Sequence, residues 1–290
     1  MHHSSKVTIG LILRTFFMAL IVFLTLYPFI YMIAVSLSES IYVMKNEIWF
    51  YPKGLNFKMY GLVLKDERIF TSYRNTIVYV ILGTSLSLIL TSLSAYALSK
   101  KDRLVFASFF NIMMLFTMFF SGGMIPLYLN VRDLGIYDTL WAVILPPAIS
   151  AWNLIIMRTF FSVYPVEIEE SGRLEGLNDF GIFMFLVLPT SGAIMATIGL
   201  FYAVGLWNSF MGPFLYLKSQ SKYPLQIVLR EIVLQGSNFN NDVVSVGDEI
   251  VREDSLKYAT IIISVIPIIA VYPFIQKYFV KGVMIGAIKG

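Results

Sequence analysis

Eight consecutive residues, EESGRLEG from Glu169 to Gly176, hold three acids, one Arg and two Gly, and soon give way to membrane-grade sequence that is uncharged from about Gly181 and includes LVLP at Pro189. Their chemistry is not catalytic, because no base is set beside a nucleophile. The layout fits a short helix instead. Pro165 suits a first turn. Glu167, Glu169 and Glu170 lie where the helix dipole favours acids. Glu169 and Arg173 stand i, i+4 in the favourable order, worth about 0.3–0.5 kcal/mol. Ser171 and Gly172 leave a notch on one face, and Gly176 permits a sharp turn. Such a helix could dock in a groove on another protein. The bare pattern fits an ordinary amphipathic loop helix equally well.

Two further pairs could do chemistry of a different kind. Asn153 follows Trp152, and Asn208 follows Trp207, both in apolar surroundings. An amide in hydrocarbon seeks a hydrogen-bond partner, and a neighbouring helix can supply it. Such pairs also suit a neutral saccharide, whose ring face stacks on indole while its hydroxyls meet the amide. Asn111 offers a third amide. Asn153, Trp207 and Asn208 are the candidate lining of a substrate path.

The elements that must position these residues are membrane spans. Of the 290 residues, 57% are hydrophobic and 14% charged, with a mean hydropathy of +0.74. Soluble domains carry about 25% charged residues, so lipid is the expected solvent. A span needs about 20 apolar residues, and six segments qualify: Phe16 to Val35, Asn75 to Ser99, Leu104 to Val131, Thr139 to Met157, a segment from about Gly181 to Leu217, and Ala259 to Gln276. The fifth is too long for one straight helix, so Pro189 and Pro213 are expected to bend or end it. The first is read as a retained span rather than a cleaved leader.

Six spans place both termini on one side. That side holds 10 of the 22 Lys and Arg and the other holds 12, so the raw tally does not orient the chain. The KKDR turn and the C-terminal tail crowd their cations against span ends, which points to the cytoplasm for the first side. The whole chain, 1–290, then reads as one all-α integral membrane domain. It has extracytoplasmic loops at 36–74 and 211–257, a cytoplasmic segment at 163–180 and a cytoplasmic tail at 277–290. Trp49, Phe50 and Tyr51 are expected to rest at the lipid interface. The polar stretch Lys218 to Lys257 reads either as a solvated connection or as a contact arm for a soluble partner.

Several chemistries are excluded or not expected. There is no Cys, hence no disulfide and no thiolate metal site. His2 and His3 are the only histidines, too few for the usual metal site, so neither metal nor cofactor is expected. No phosphate-binding G-x-x-x-x-G-K-[ST] loop is present. Spans two to six carry no ionisable residue in their interiors, and Arg14 and Arg158 sit near span ends where they can snorkel. An ion-driven carrier would need an embedded carboxylate. The net charge of +4 fits span ends rather than a nucleic-acid surface. Any energy for transport would have to come through another subunit.

The spacing around Glu170 resembles the signature of permease subunits in binding-protein-dependent ATP-binding-cassette (ABC) importers: E-A-A, three residues, G, nine residues, I-x-L-P. Glu170-Ser171-Gly172 takes the first place, Gly176 follows after three residues, and nine more lead to Leu186-Val187-Leu188-Pro189. Glu175 stands where many members have Asp, and Leu177 replaces a common Ala, making that edge bulkier. The resemblance covers nearly the whole chain and is strongest to the carbohydrate-uptake branch, the maltose-transporter type and its oligo- and polysaccharide relatives. Ser121 to Phe161 and the ending FVKGVMIGAIKG, Phe279 to Gly290, carry it further.

This resemblance implies a type I permease of six spans that binds no ATP itself. Its cytoplasmic coupling helix would hold Glu169, Glu170, Ser171, Gly172, Arg173, Glu175, Gly176 and Leu177. It implies two ABC ATPase subunits, a second permease (a heterodimer by branch), an extracytoplasmic substrate-binding protein and a saccharide substrate. Glu170 would meet a basic residue on the ATPase. Gly172 and Gly176 would permit close approach and the turn. Lys289 and Gly290 would reach the ATPase dimer, and the 211–257 loop would project toward the binding protein. A non-sugar importer, a membrane scaffold without a transport path and an ion-driven carrier remain alternatives.

Overall fold

Backbone polar groups cannot be left bare in hydrocarbon, so an apolar chain folds as helices that satisfy their own hydrogen bonds. The protein, seen as a computed structural model, is described for residues 9–100, 104–235, 255–270 and 273. Among these, every regular element is helical apart from one isolated bridge, Ser38 to Leu55. Helix α1 spans Ile9–Ser36, α2 Ser40–Met44, α3 Lys58–Lys65, α4 Glu67–Ser99, α5 Ala107–Phe119, α6 Met124–Asp133, α7 Leu140–Ile144 and α8 Ala151–Ser162. Then follow α9 Val166–Leu174, α10 Asp179–Ile182, a π turn Phe183–Val187, α11 Leu188–Thr190, α12 Gly192–Trp207, α13 Met211–Tyr216 and α14 Leu225–Gln235. Helix α15 is Ser255–Ala270.

Two helices, α1 and α4, are long and apolar enough to cross a membrane unbroken. Two more candidates are bent pairs. Helices α5 and α6 meet at 117°, and Asp179–Thr190 meets α12 at 85°. The first bend replaces the single span expected over Leu104 to Val131. Gly123 adopts φ 88° and ψ 178°, a conformation open essentially to Gly alone, so the helix cannot continue through it. The fourth segment is also interrupted. Pro146 and Pro147 lie between α7 and α8, where the missing amide donors stop the ladder. The chain restarts at Ser150, whose side chain accepts from Asn153 N–H at 3.4 Å.

The fifth segment breaks at Ser191, two residues after Pro189. Proline leaves the carbonyl four residues earlier without its partner, and the helix widens into the π turn there. Hydroxyls take over the neighbouring carbonyls. Thr190 Oγ1 donates to Leu186 O at 2.8 Å, Ser191 Oγ to Val187 O at 2.6 Å, and Tyr164 Oη to Leu186 O at 3.2 Å. Pro213 sits inside α13 near its start, with the break before it at 208–210.

The chain divides into two units, each with its own packing. One comprises residues up to 69 with 229–267. In it Ala34, Val35, Val43 and Ile48 pack with Tyr31, Tyr42 and Tyr258, and the Tyr31 and Tyr258 rings meet edge-on at 6.1 Å. Trp49 and Tyr51 are exposed, while the Phe50 ring folds back on Tyr27 of α1 at 5.2 Å.

The other unit, 70–228 with the residues after 267, holds the larger core. Its centre is Tyr96 and Leu98 of α4, Met157 and Phe161 of α8, Ile182 of α10 and Ile198 of α12. Small residues bring these helices close, as lipid-solvated helices require. A Cβ on Gly83 of α4 would lie 2.6 Å from a Leu206 methyl of α12, and one on Gly199 would lie 3.2 Å from Leu88. Arg158 does not merely snorkel: its guanidinium donates to Asn111 Oδ1 on α5, while Asn111 Nδ2 donates to Ala107 O at 2.8 Å.

Candidate functional site

Helix α9 is the acidic helix expected from the sequence. Pro165 precedes it, Glu167 and Glu169 stand in its first turn and Arg173 in its last. Its end is a Schellman motif. Gly176 N–H donates to Arg173 O and Leu177 N–H to Gly172 O, both at 2.9 Å, with Gly176 at φ 86°. That is the left-handed cap position where Gly carries no steric cost. Leu177, the bulky departure from the family pattern, lies 3.5 Å from the Gly172 Cβ position and so closes the motif. Asn178 then caps α10, its Oδ1 accepting from Gly181 N–H at 2.7 Å.

The two faces of α9 differ. Glu167, Glu170, Ser171 and Leu174 point outward, Leu174 at 91% exposure. Glu169 and Gly172 point inward. Two of the expected coupling-helix residues face the chain's own interior. Glu169 is 2% exposed and its carboxylate pairs with Lys100 just past the end of α4, so it is not a free docking acid. A Cβ on Gly172 would lie 2.6 Å from Leu186 Cδ1 and 3.3 Å from Ile182. The close approach its missing side chain allows is therefore to this chain's own π turn. Arg173, expected from the i, i+4 spacing to face Glu169, donates to Asp179 Oδ1 at 2.5 Å. Glu175 and Gly176 are exposed at the turn.

A cleft of about 420 Å³ opens between α8 and α12, lined by Pro147, Ser150, Trp152, Asn153, Phe201, Tyr202, Gly205, Leu206 and Ser209. Its size suits a small ligand, and no lining residue is charged. Asn153 is 6% exposed and Trp152 59% exposed. Tyr202 holds the walls together. Its Oη accepts from Ser150 N–H at 3.0 Å and shares a hydrogen bond with Thr91 Oγ1 of α4 at 2.7 Å.

Of the three expected path residues, only Asn153 is in this cleft. The lining positions on α12 are 201, 202, 205 and 206, one helical face, with Ser209 just beyond the helix, and Trp207 and Asn208 are not among them. The Trp207 ring meets Tyr73 at 6.4 Å, and Asn208 Nδ2 donates back to Val204 O at 2.9 Å. Trp152 and Tyr202 line this cleft. The Trp152–Asn153 dipeptide and the one-face spacing of Phe201, Tyr202 and Gly205 were the available signals. Lys289 and Gly290 lie outside the described residues, as do 236–254, 271–272 and the histidines at 2 and 3.

A third polar site escaped sequence reasoning altogether. Asp138, at φ 56° in the turn before α7, accepts from Lys218 and Ser219 N–H at 3.0 Å each and from Ser219 Oγ at 2.6 Å. Lys222 Nζ pairs with its Oδ2 at 2.9 Å. The hydrogen bonds from Ser219, then those from Lys222 and Lys218, hold its carboxyl well below the usual carboxylate range. Nearby, Tyr79 Oη donates to Lys222 O at 2.7 Å and Asn75 Nδ2 to Ser221 O at 2.7 Å. The start of the 211–257 segment is thus pinned to the α6–α7 turn and to α4.

Known proteins resemble this chain. Residues 87–285 match the family described as binding-protein-dependent transport system inner membrane component. The polygalacturonan/rhamnogalacturonan transport system permease protein YtcP of Bacillus subtilis is 40% identical over 94% of this chain and 96% of its own length. An arabinooligosaccharides transport system permease protein of Halalkalibacterium halodurans is 27% identical over 96% of each chain. Among solved structures, a chain of a bacterial ABC transporter involved in import of the acidic polysaccharide alginate superposes with a TM-score of 0.89. It is 34% identical and covers 96% of this chain and 99% of that one. The chain therefore belongs to the family of inner-membrane components of binding-protein-dependent transport systems.

Proposed function

We propose that this chain is one membrane-spanning half of an ABC importer that carries an oligo- or polysaccharide-derived saccharide across the cytoplasmic membrane by alternating access. It pairs with a second, different permease and docks two cytoplasmic ATPase subunits, which hydrolyse the ATP. The observation that carries the reading is the outward face of α9, where exposed Glu170 and Leu174 flank a helix whose inner face is already filled. An exposed aliphatic anchor rimmed by acids suits a groove with a basic edge. In this reading the chain crosses six times with both termini cytoplasmic. The 163–180 segment and the 277–290 tail, including Lys289 and Gly290, face the ATPases. The 36–74 and 211–257 loops face the binding protein.

The uncharged α8–α12 cleft meets the sugar's ring face through Trp152 and its hydroxyls through Asn153. Binding of ATP and of the loaded binding protein favours one access state, and hydrolysis resets it. The names of its relatives make arabinooligosaccharides and saccharides of polygalacturonan, rhamnogalacturonan or alginate the first candidates. The test is uptake of labelled oligosaccharides from these polymers into proteoliposomes holding the purified complex and its binding protein. Uptake of one of them that requires internal ATP is expected. Uptake driven by an ion gradient without ATP, or ATP-driven uptake of an amino acid alone, would contradict the reading.

A further inference from the structure

Glu169 belongs to the acidic helix but does not face outward with Glu170. It is 2% exposed, and its carboxylate pairs with Lys100 immediately beyond the end of α4. Lys100 is itself largely covered and stands 5.4 Å from the centre of the Tyr96 ring. Tyr96 packs on Phe183 of the π turn at 5.1 Å and edge-on to Phe161 of α8 at 6.0 Å. The pair thus lies where α4, α8, α9 and the π turn meet.

The chain itself ties α9 to only two of these neighbours. Short connectors join it to α8 on one side and α10 on the other. Helix α4 has no such short connector to α9. The aromatic contacts around Tyr96 are dispersive, each atom pair contributing little by itself. A buried ion pair resists separation of its two ends, because parting them leaves each charge uncompensated. Burying such a pair gains little stability over an apolar substitute, so its presence calls for another reason.

We infer that the Lys100–Glu169 ion pair is the tether through which movement of α9 is passed to α4, making both residues positioning residues for coupling rather than ATPase contacts. This rests on the reading of α9 as the ATPase-docking helix. When an ATPase pulls α9, helices α8 and α10 follow by covalent connection. Helix α4, which forms one wall of the polar knot at Thr91 and Tyr202 beside the cleft, follows through this pair.

The experiment measures saccharide uptake per ATP hydrolysed in proteoliposomes containing the purified complex. The variants are Lys100→Arg, the neutral pair Lys100→Gln with Glu169→Gln, and the swap Lys100→Glu with Glu169→Lys. The neutral pair leaves no unpaired buried charge. It is expected to keep its full complement of ATPase while uptake per ATP falls roughly 2- to 30-fold. Lys100→Arg and the swap are expected to recover most of that ratio. A neutral pair with the wild-type ratio overturns the inference. So does loss of the ATPase from the neutral-pair complex, which would make Glu169 a docking residue. A neutral pair that fails to accumulate in the membrane overturns it too, by reducing the pair to a folding requirement. Failure of the docking reading is seen separately and earlier: wild type would purify without any ATPase, and the inference would fall with it.

Discussion

Gly172 and Gly176 stand one helical turn apart and are needed for different reasons. Gly176 needs its backbone conformation, at φ 86° with open space around its Cβ position. An Ala there pays about 1–2 kcal/mol for the left-handed region. Gly172 has room for any φ a helix requires but none for a side chain, with Leu186 Cδ1 at 2.6 Å. Gly172→Val overpacks this contact and is expected to cost about 1–3 kcal/mol. Thermal unfolding in detergent separates the two. Adding Leu186→Ala should recover part of the Gly172→Val loss and none of the Gly176→Ala loss. Equal recovery in both would refute the assignment. At the cleft, Asn153→Ala removes a lining amide and should raise the KM for uptake by roughly 2- to 12-fold, the worth of one neutral hydrogen bond. Asn208→Ala, whose amide serves only its own helix, should leave KM within about 2-fold. The reverse order would return the path to the far end of α12.

At the scale of elements, the local signals were legible and the distant partners were not. Pro165, the early acids and Gly176 mark both ends of α9 because capping chemistry is local. Gly122-Gly123 and Pro146-Pro147 were equally visible. A hydropathy window averages over such dipeptides, so the bends they impose were absorbed into continuous spans. Lys100 as the partner of Glu169, and Asp138 as the partner of Ser219 and Lys222, carry no local trace, since each pair joins segments far apart in the chain. The Asp138 clamp makes a prediction of its own. Its folded carboxyl titrates below the unfolded value of about 4. Its stabilisation is therefore present in full above that value and is lost as pH falls through the folded one. Asp138→Ala should cost about 1.5–3 kcal/mol near neutrality. The gap in Tm between wild type and variant should stay constant from about pH 7 to pH 5 and narrow below about pH 4. A gap that widens on acidification would mean the carboxylate is not what binds the loop.

For the molecule as a whole, composition and the spacing from Glu170 to Pro189 were enough to point to a lipid-solvated transport subunit. The family match over residues 87–285 agrees with that. What sequence reasoning could not supply was the direction in which each side chain faces. Glu169 and Glu170 are adjacent and chemically alike, yet helical geometry sends one inward to Lys100 and leaves the other outside. The central claim, that the outward face of α9 docks an ATPase, is tested most directly by purifying the chain from native membranes in mild detergent and identifying what accompanies it. Wild type is expected to bring down a second permease and an ATPase. Glu170→Arg and Leu174→Asp are each expected to keep the permease and lose the ATPase by roughly 30-fold or more, the loss typical of a central interface anchor. An ATPase retained undiminished by both variants, or absent from wild type, would contradict the account.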